Sequence, residues 1–132
     1  MRKLLIVDNN QSFRKHVRYF LESAEIFKVI AEAGDGKSAI DYAVGQKPDI
    51  VLMDIGMSGM NGIEAGYIIH QKMPHIALIM LSAFDLDEYK EAALLAGADA
   101  YVVKKNMTIE LLAVIEKCWN NKSPYGQSSQ NA

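Results

Sequence analysis

The chain has 132 residues, half of them apolar and 23% charged, with a formal net charge of −2. That length suits one domain able to bury roughly two-thirds of its unfolded surface, and so small a charge gives no electrostatic footprint for nucleic acid or an anionic membrane. A single cysteine, Cys118, excludes an internal disulfide, and with no apolar span near ~18 residues and no signal-peptide stretch the chain reads as cytoplasmic.

Strand-like and helix-like patterns alternate along the sequence. Residues 4–7 are a short apolar run closed by Asp8-Asn9-Asn10, a turn or cap signal. Over residues 12–23, Phe13, Val17, Phe20 and Leu21 recur at helical spacing. Residues 29–33 read as a second strand ended by Gly34-Asp35-Gly36, and residues 37–44 as a small amphipathic helix. Pro48 precedes the run Ile50-Val51-Leu52-Met53, four apolar residues that suit a strand buried on both faces of a parallel sheet. Asp54 ends that run, and Gly56, Gly59 and Gly62 shape the loop beyond it. A third helix spans 63–72, stopped by Pro74; a fourth strand 76–81; a fourth helix 87–96 with Gly97 as its C-terminal cap; a fifth strand 101–103; and a last helix 108–119. Five strands alternating with five helices predict a single α/β domain over residues 1–122, its parallel sheet covered on both sides. Residues 123–132, rich in Ser, Gln and Asn, are expected to be a disordered tail or linker stub.

In that topology the strand ends converge on one edge, where open α/β sheets place their ligands. The residues there are Asp8, Asp54, Ser82 and Lys104. A carboxylate can attack phosphorus to give an aspartyl phosphate. Mg²⁺ is commonly held by one or two carboxylates together with phosphate oxygens and water. A lysine adds a point charge for the phosphate, and a hydroxyl adds a rotatable donor.

The chain resembles the response-regulator receiver family of two-component signalling. The resemblance runs from Leu4 to about Trp119. It is carried by Leu5-Ile6-Val7-Asp8, by Asp49-Ile50-Val51-Leu52-Met53-Asp54-Ile55, by Met60-Asn61-Gly62, by Ile79-Met80-Leu81-Ser82-Ala83, and by the stretch from Ala96-Gly97-Ala98 through Tyr101-Val102-Val103-Lys104. It implies a CheY-like, doubly wound (βα)5 domain with strand order 2-1-3-4-5. It further implies that Asp54 accepts a phosphoryl group from a sensor histidine kinase or a histidine phosphotransfer protein. Asp8 then matches an acidic residue near Mg²⁺, and Gly56 a residue whose backbone carbonyl also faces the metal. Ser82 and Lys104 match the hydroxyl and ammonium that contact the phosphoryl group, and Tyr101 the aromatic switch that turns inward when the hydroxyl moves. The partners implied are that kinase or phosphotransfer protein and a downstream output, either a separate protein or a C-terminal domain. A homodimer is possible by the same analogy. Neither nucleic acid nor membrane is expected to bind this domain itself.

Three positions depart from the family pattern. Asn9 stands where most receivers carry a second acid that ligates the metal, so Mg²⁺ binding is expected to be weakened. Ser58 replaces a common proline after Met57, leaving that loop more flexible. Lys105 follows Lys104 where a proline is common, often after a cis bond; without proline a cis bond costs ~3 kcal/mol, so a trans bond is expected. Lys105 and the stretch from Ala83-Phe84-Asp85 to Glu88-Tyr89 resemble NarL/LuxR-type receivers, which are joined to helix-turn-helix output domains.

Plainer roles suit the other reactive side chains. Cys118 is expected to be a packed thiol, His16, His70 and His75 surface residues, and Asp85, Asp87 and Glu88 a solvated cluster at a helix start. Tyr101 taken alone could be an exposed edge-strand aromatic. An aspartate-nucleophile hydrolase is disfavoured because Asp54-Ile55-Gly56 lacks the second acid of an Asp-x-Asp. The chain thus reads as a phosphoryl-accepting switch, not an enzyme. The alternative is an atypical receiver acting as a phosphorylation-independent interaction module, with Asn9 as its support.

Overall fold

The computed structural model describes residues 1–122; the expected tail lies outside them. The elements are β1 (Arg2–Val7), α1 (Gln11–Glu22), β2 (Phe27–Ala33), α2 (Gly36–Gln46), β3 (Ile50–Met53), α3 (Gly62–Lys72), β4 (Ala77–Ser82), α4 (Asp87–Leu95), β5 (Ala100–Val103) and α5 (Met107–Lys122). A 3-10 turn, Lys104–Asn106, joins β5 to α5. All strand pairs are parallel, in the order β2-β1-β3-β4-β5. The expected architecture is therefore the observed one.

Each strand's side chains alternate between two apolar layers, because successive Cβ atoms point to opposite faces. Leu4 and Ile6, Ile50 and Leu52, and Ile79 and Leu81 face α1 and α5, meeting Val17, Leu21, Leu111 and Ile115. Leu5 and Val7, Val51 and Met53, and Leu78 and Met80 face the other way, toward Ala39, Ala43, Ala65, Ile69 and Ala93. Both faces are covered, so the central strands read as unbroken apolar runs without polar alternation. The small alanines on α2, α3 and α4 let these helices lie close to the sheet.

Helix starts are set by side-chain caps. The Asn10 side chain accepts from the Phe13 amide (3.0 Å), Asp35 from Ser38 (2.8 Å) and Asn61 from Glu64 (3.0 Å). The Asn61 side-chain Nδ2 also donates to the Glu64 carboxylate (2.9 Å), tying the two side chains together. At the other end of α4, Gly97 adopts φ +110°. Its amide donates to Leu94 and the next amide, of Ala98, to Ala93, as expected for a glycine cap.

Several expected limits shift by one to three residues. β1 and β2 begin earlier, at Arg2 and Phe27, because polar Lys3 and Lys28 point outward on otherwise apolar edges. α1 begins at Gln11, right after its Asn10 cap, not at residue 12. Ser82 is the last residue of β4 and not the first beyond it. α4 stops at Leu95, one residue short of the expected limit. Lys104 opens the 3-10 turn, which delivers the chain directly into α5. No cis peptide bond occurs among the described residues, so the Lys104–Lys105 bond is trans as expected.

Candidate functional site

Strand register places the four expected groups along one edge. Val7 pairs with Met53, Met53 with Met80, and Met80 with Tyr101. Asp8 and Asp54 each follow directly after a member of that row. Ser82 lies two residues past Met80 and opposite Val103, the residue before Lys104. The carboxylates and the hydroxyl are all buried: Asp8 is 2% exposed, Asp54 6% and Ser82 0%. These three are the buried polar side chains of the described residues, so the polar investment of the interior is concentrated at this edge.

Each carboxylate is held differently. Asp8 Oδ1 accepts from the Asn10 amide (2.8 Å), which ties it to the turn leading into α1. Its Oδ2 accepts from Lys104 Nζ (2.7 Å). Asp54 lies farther from the same ammonium, 3.8 Å from Oδ1 to Nζ. The Asp54 amide donates to Val7 O (2.9 Å), and the Gly62 amide donates to the next carbonyl, of Ile55 (3.0 Å). A Cβ on Gly62 would lie 1.8 Å from the Asp54 carbonyl oxygen, so only glycine lets α3 start against the Asp54 backbone.

Two carboxylates share one ammonium, leaving a net negative charge. Burial raises the Asp54 pKa above the ordinary value, and the neighbouring Asp8 charge raises it further. Lys104 and the amides of Ile55 and Gly56 pull the other way without cancelling those effects. Such a pair suits a hard cation, which removes the like-charge repulsion. The Asn9 position denies it a third acid. No cluster of three or more His, Cys, Asp or Glu side chains able to hold a metal occurs among the described residues. Of the expected donors, Asp8 and Asp54 are buried at their strand ends, and Asn9 and Gly56 are exposed on the turns that follow them.

Ser82 Oγ accepts from the Phe84 amide (3.1 Å), and the Phe84 carbonyl accepts from the Tyr101 hydroxyl (2.7 Å). One residue of the β4–α4 loop therefore touches both the hydroxyl and the aromatic expected to move together. Tyr101 is half-buried against the α2–α4 side of the core, so it is not a plain exposed aromatic. Asp85 pairs with Lys90 (2.7 Å) and Lys105 (3.8 Å), while Asp87 and Glu88 occupy the first turn of α4 as expected of a helix-starting cluster.

Two contacts had no signal in the sequence pattern. The Phe13 ring lies beneath the Lys104 ammonium, 4.2 Å from Nζ to its centroid. Arg14 donates to the Asp8 carbonyl and to Glu32 Oε1 (3.0 Å), bracing the turn against β2. Both sit on the first turns of α1, where spacing marks Phe13 only as apolar and Arg14 only as polar. Cys118 is buried, with its thiol pushed up to about 11 chiefly by burial, as a packed thiol should be. His16 and His75 are exposed as expected, but His70 is part-buried, because Gly97 has no side chain and its Cα backs onto the imidazole. An open cleft of about 480 Å³, lined by Met1, Arg2, Glu25, Ile26, Asp49 and Trp119, lies at the opposite sheet edge and contains none of the expected site residues.

The similarities to known proteins agree with this geometry. The family model for the response regulator receiver domain matches residues 4–116. The response regulator protein VraR of Staphylococcus saprophyticus is 32% identical over 123 residues, covering 93% of this chain and 59% of the relative. The chain thus spans less than two-thirds of that relative's length. A LuxR-family DNA-binding response regulator from Staphylococcus aureus superposes with a TM-score of 0.84 at 28% identity, over 90% of this chain and 99% of that one. The structure of a CheX–CheY–BeF3–Mg²⁺ complex from Borrelia burgdorferi superposes with a TM-score of 0.80 at 28% identity, over 88% and 87%. With more than half its length matched by the family model and its four strand-end groups gathered at one edge, the chain belongs to the response regulator receiver domains of two-component systems.

Proposed function

We propose that Asp54 is the phosphoacceptor and that the chain works as a phosphorylation-driven switch. The observation that carries this is the asymmetry of the two buried carboxylates: Asp8 is engaged by Lys104 at 2.7 Å, whereas Asp54 lies 3.8 Å from the same ammonium. An Asp54 carboxylate oxygen attacks the phosphorus of a partner's phosphohistidine. The new O–P bond forms as the N–P bond breaks, and the imidazole nitrogen leaves with the electron pair. Mg²⁺, held by Asp8, Asp54, Asn9 and the Gly56 carbonyl, would neutralise charge on the phosphoryl oxygens. A CheX–CheY complex with BeF3 and Mg²⁺ among the structural relatives supports a part for Mg²⁺ in this reading.

Lys104 supplies a positive charge to the acquired phosphoryl group, and Ser82 a hydroxyl donor. To make that bond Ser82 must turn its hydroxyl toward the phosphate, and the Phe84 amide bonded to it must readjust. Tyr101, bonded to the same residue, follows. The surface formed by α4, β5 and α5 then changes for an output partner. The supplier of phosphoryl groups is a histidine kinase or phosphotransfer protein, and the output a separate protein or an attached domain. The phosphorylation-independent module has no observation in its favour beyond Asn9.

The test is incubation with a small-molecule phosphodonor and Mg²⁺, followed by intact-protein mass spectrometry. Wild type gains one phosphoryl group and Asp54→Asn gains none. Asn9→Asp reaches half-maximal labelling at about ten-fold lower Mg²⁺, the effect of one added anionic ligand at about 1.4 kcal/mol. Absence of labelling in wild type, or equal labelling of Asp54→Asn, contradicts the assignment.

A further inference from the structure

We propose that Phe13 is a positioning residue that holds Lys104 on Asp8 and thereby sets how tightly the site takes a divalent cation. The inference rests on Asp8 and Asp54 being the cation's ligands. The Lys104 ammonium touches three groups: Asp8 Oδ2 at 2.7 Å, the Phe13 ring at 4.2 Å from its centroid, and Asp54 Oδ1 at 3.8 Å. A ring face attracts an ammonium through its quadrupole, most strongly where water is thin. Lys104 and Phe13 are both part-buried, and Asp8 is almost wholly so. The ammonium is therefore gripped from two sides at the carboxylate a metal needs.

Lys104 is in effect the resident counter-ion of Asp8. A divalent cation that uses Asp8 Oδ2 must displace it, and the Phe13 ring opposes that displacement. The uncharged Asn9 sharpens the competition, because no third acid stands ready to receive the metal while Lys104 keeps Asp8. Phe13 thus lowers resting cation affinity, and it keeps the ammonium within reach of Asp54. Its packing against the core layer beneath α1 is a separate, structural contribution.

A double-mutant cycle separates the two contributions. Mg²⁺ affinity is measured by calorimetry, at fixed ionic strength, for wild type, Phe13→Leu, Lys104→Gln and the double variant. Phe13→Met, close in volume but without a π face, serves as a second probe, and Phe13→Tyr as the rescue. Phe13→Leu and Phe13→Met are expected to bind Mg²⁺ about three- to ten-fold more tightly than wild type. Phe13→Tyr stays at the wild-type value, and Phe13→Leu has no effect in the Lys104→Gln background. Unchanged affinity in both Leu and Met variants overturns the proposal, as does the same change in both backgrounds, which marks a packing effect alone. No Mg²⁺ binding by any of the proteins overturns the metal site itself and the proposal with it, a result distinct from equal binding by all.

Discussion

In the proposed switch Asp54 is the nucleophile, and its carboxylate is kept charged at a cost. Its folded pKa lies above the ordinary 3.8, through burial first and the Asp8 charge second. Folding therefore takes up a proton in the window between 3.8 and the raised value. Stability falls as pH climbs through that window, the full cost remains at higher pH, and below the ordinary value it vanishes. Asp54→Asn removes the charge at nearly constant shape, so it should stabilise the protein by ~1 kcal/mol at pH 7. Urea unfolding at pH 7 and again below the ordinary carboxylate range checks this: the gain should disappear at the acid end, and a variant less stable at neutral pH contradicts it. The gathering of Asp54 with Asp8, Ser82 and Lys104 was legible in the sequence, because each ends a strand of one parallel sheet. The grip of Phe13 on Lys104 was not, since it joins two residues far apart in the chain through a packing contact that periodicity does not encode.

At the scale of elements, the apolar runs and helical spacing identified all five strands and five helices, because the central strands are covered on both faces and each helix on one. The ends were less legible. They depend on caps and turns, such as the Asn10 side chain starting α1 and the 3-10 turn that takes up Lys104. The junction of β3 with α3 matters most for the site. Gly62 brings α3 against the Asp54 carbonyl, and its amide donates to Ile55 O at 3.0 Å. Any Cβ there forces α3 or the Asp54 backbone to move, and neither is the soft end of a side chain. Gly62→Ala should cost about 3 kcal/mol or more and reduce labelling of Asp54 in the fraction that remains folded. Chemical denaturation with a phosphodonor assay on the same samples tests this, and a variant within ~0.5 kcal/mol of wild type with normal labelling shows the contact to be slack.

Across the whole molecule, the buried polar side chains of the described residues are concentrated on one edge of a sheet whose two layers otherwise serve packing. The opposite edge carries different chemistry. There Arg2 pairs with Glu116 and stacks on Trp119 (4.7 Å to the ring centroid), fastening the end of α5 to the start of β1. In the proposed switch a phosphoryl group at Asp54 would act on a scaffold anchored at the far end, leaving movement to the β4–α4 loop and Tyr101. The most direct measurement is to expose the protein to a phosphohistidine donor with Mg²⁺, reduce with borohydride, and map the modified residue by peptide mass spectrometry. An aspartyl phosphate is reduced to homoserine. The account predicts homoserine at position 54 and at no other acid. Homoserine at Asp8 or elsewhere, or none at all, would contradict it.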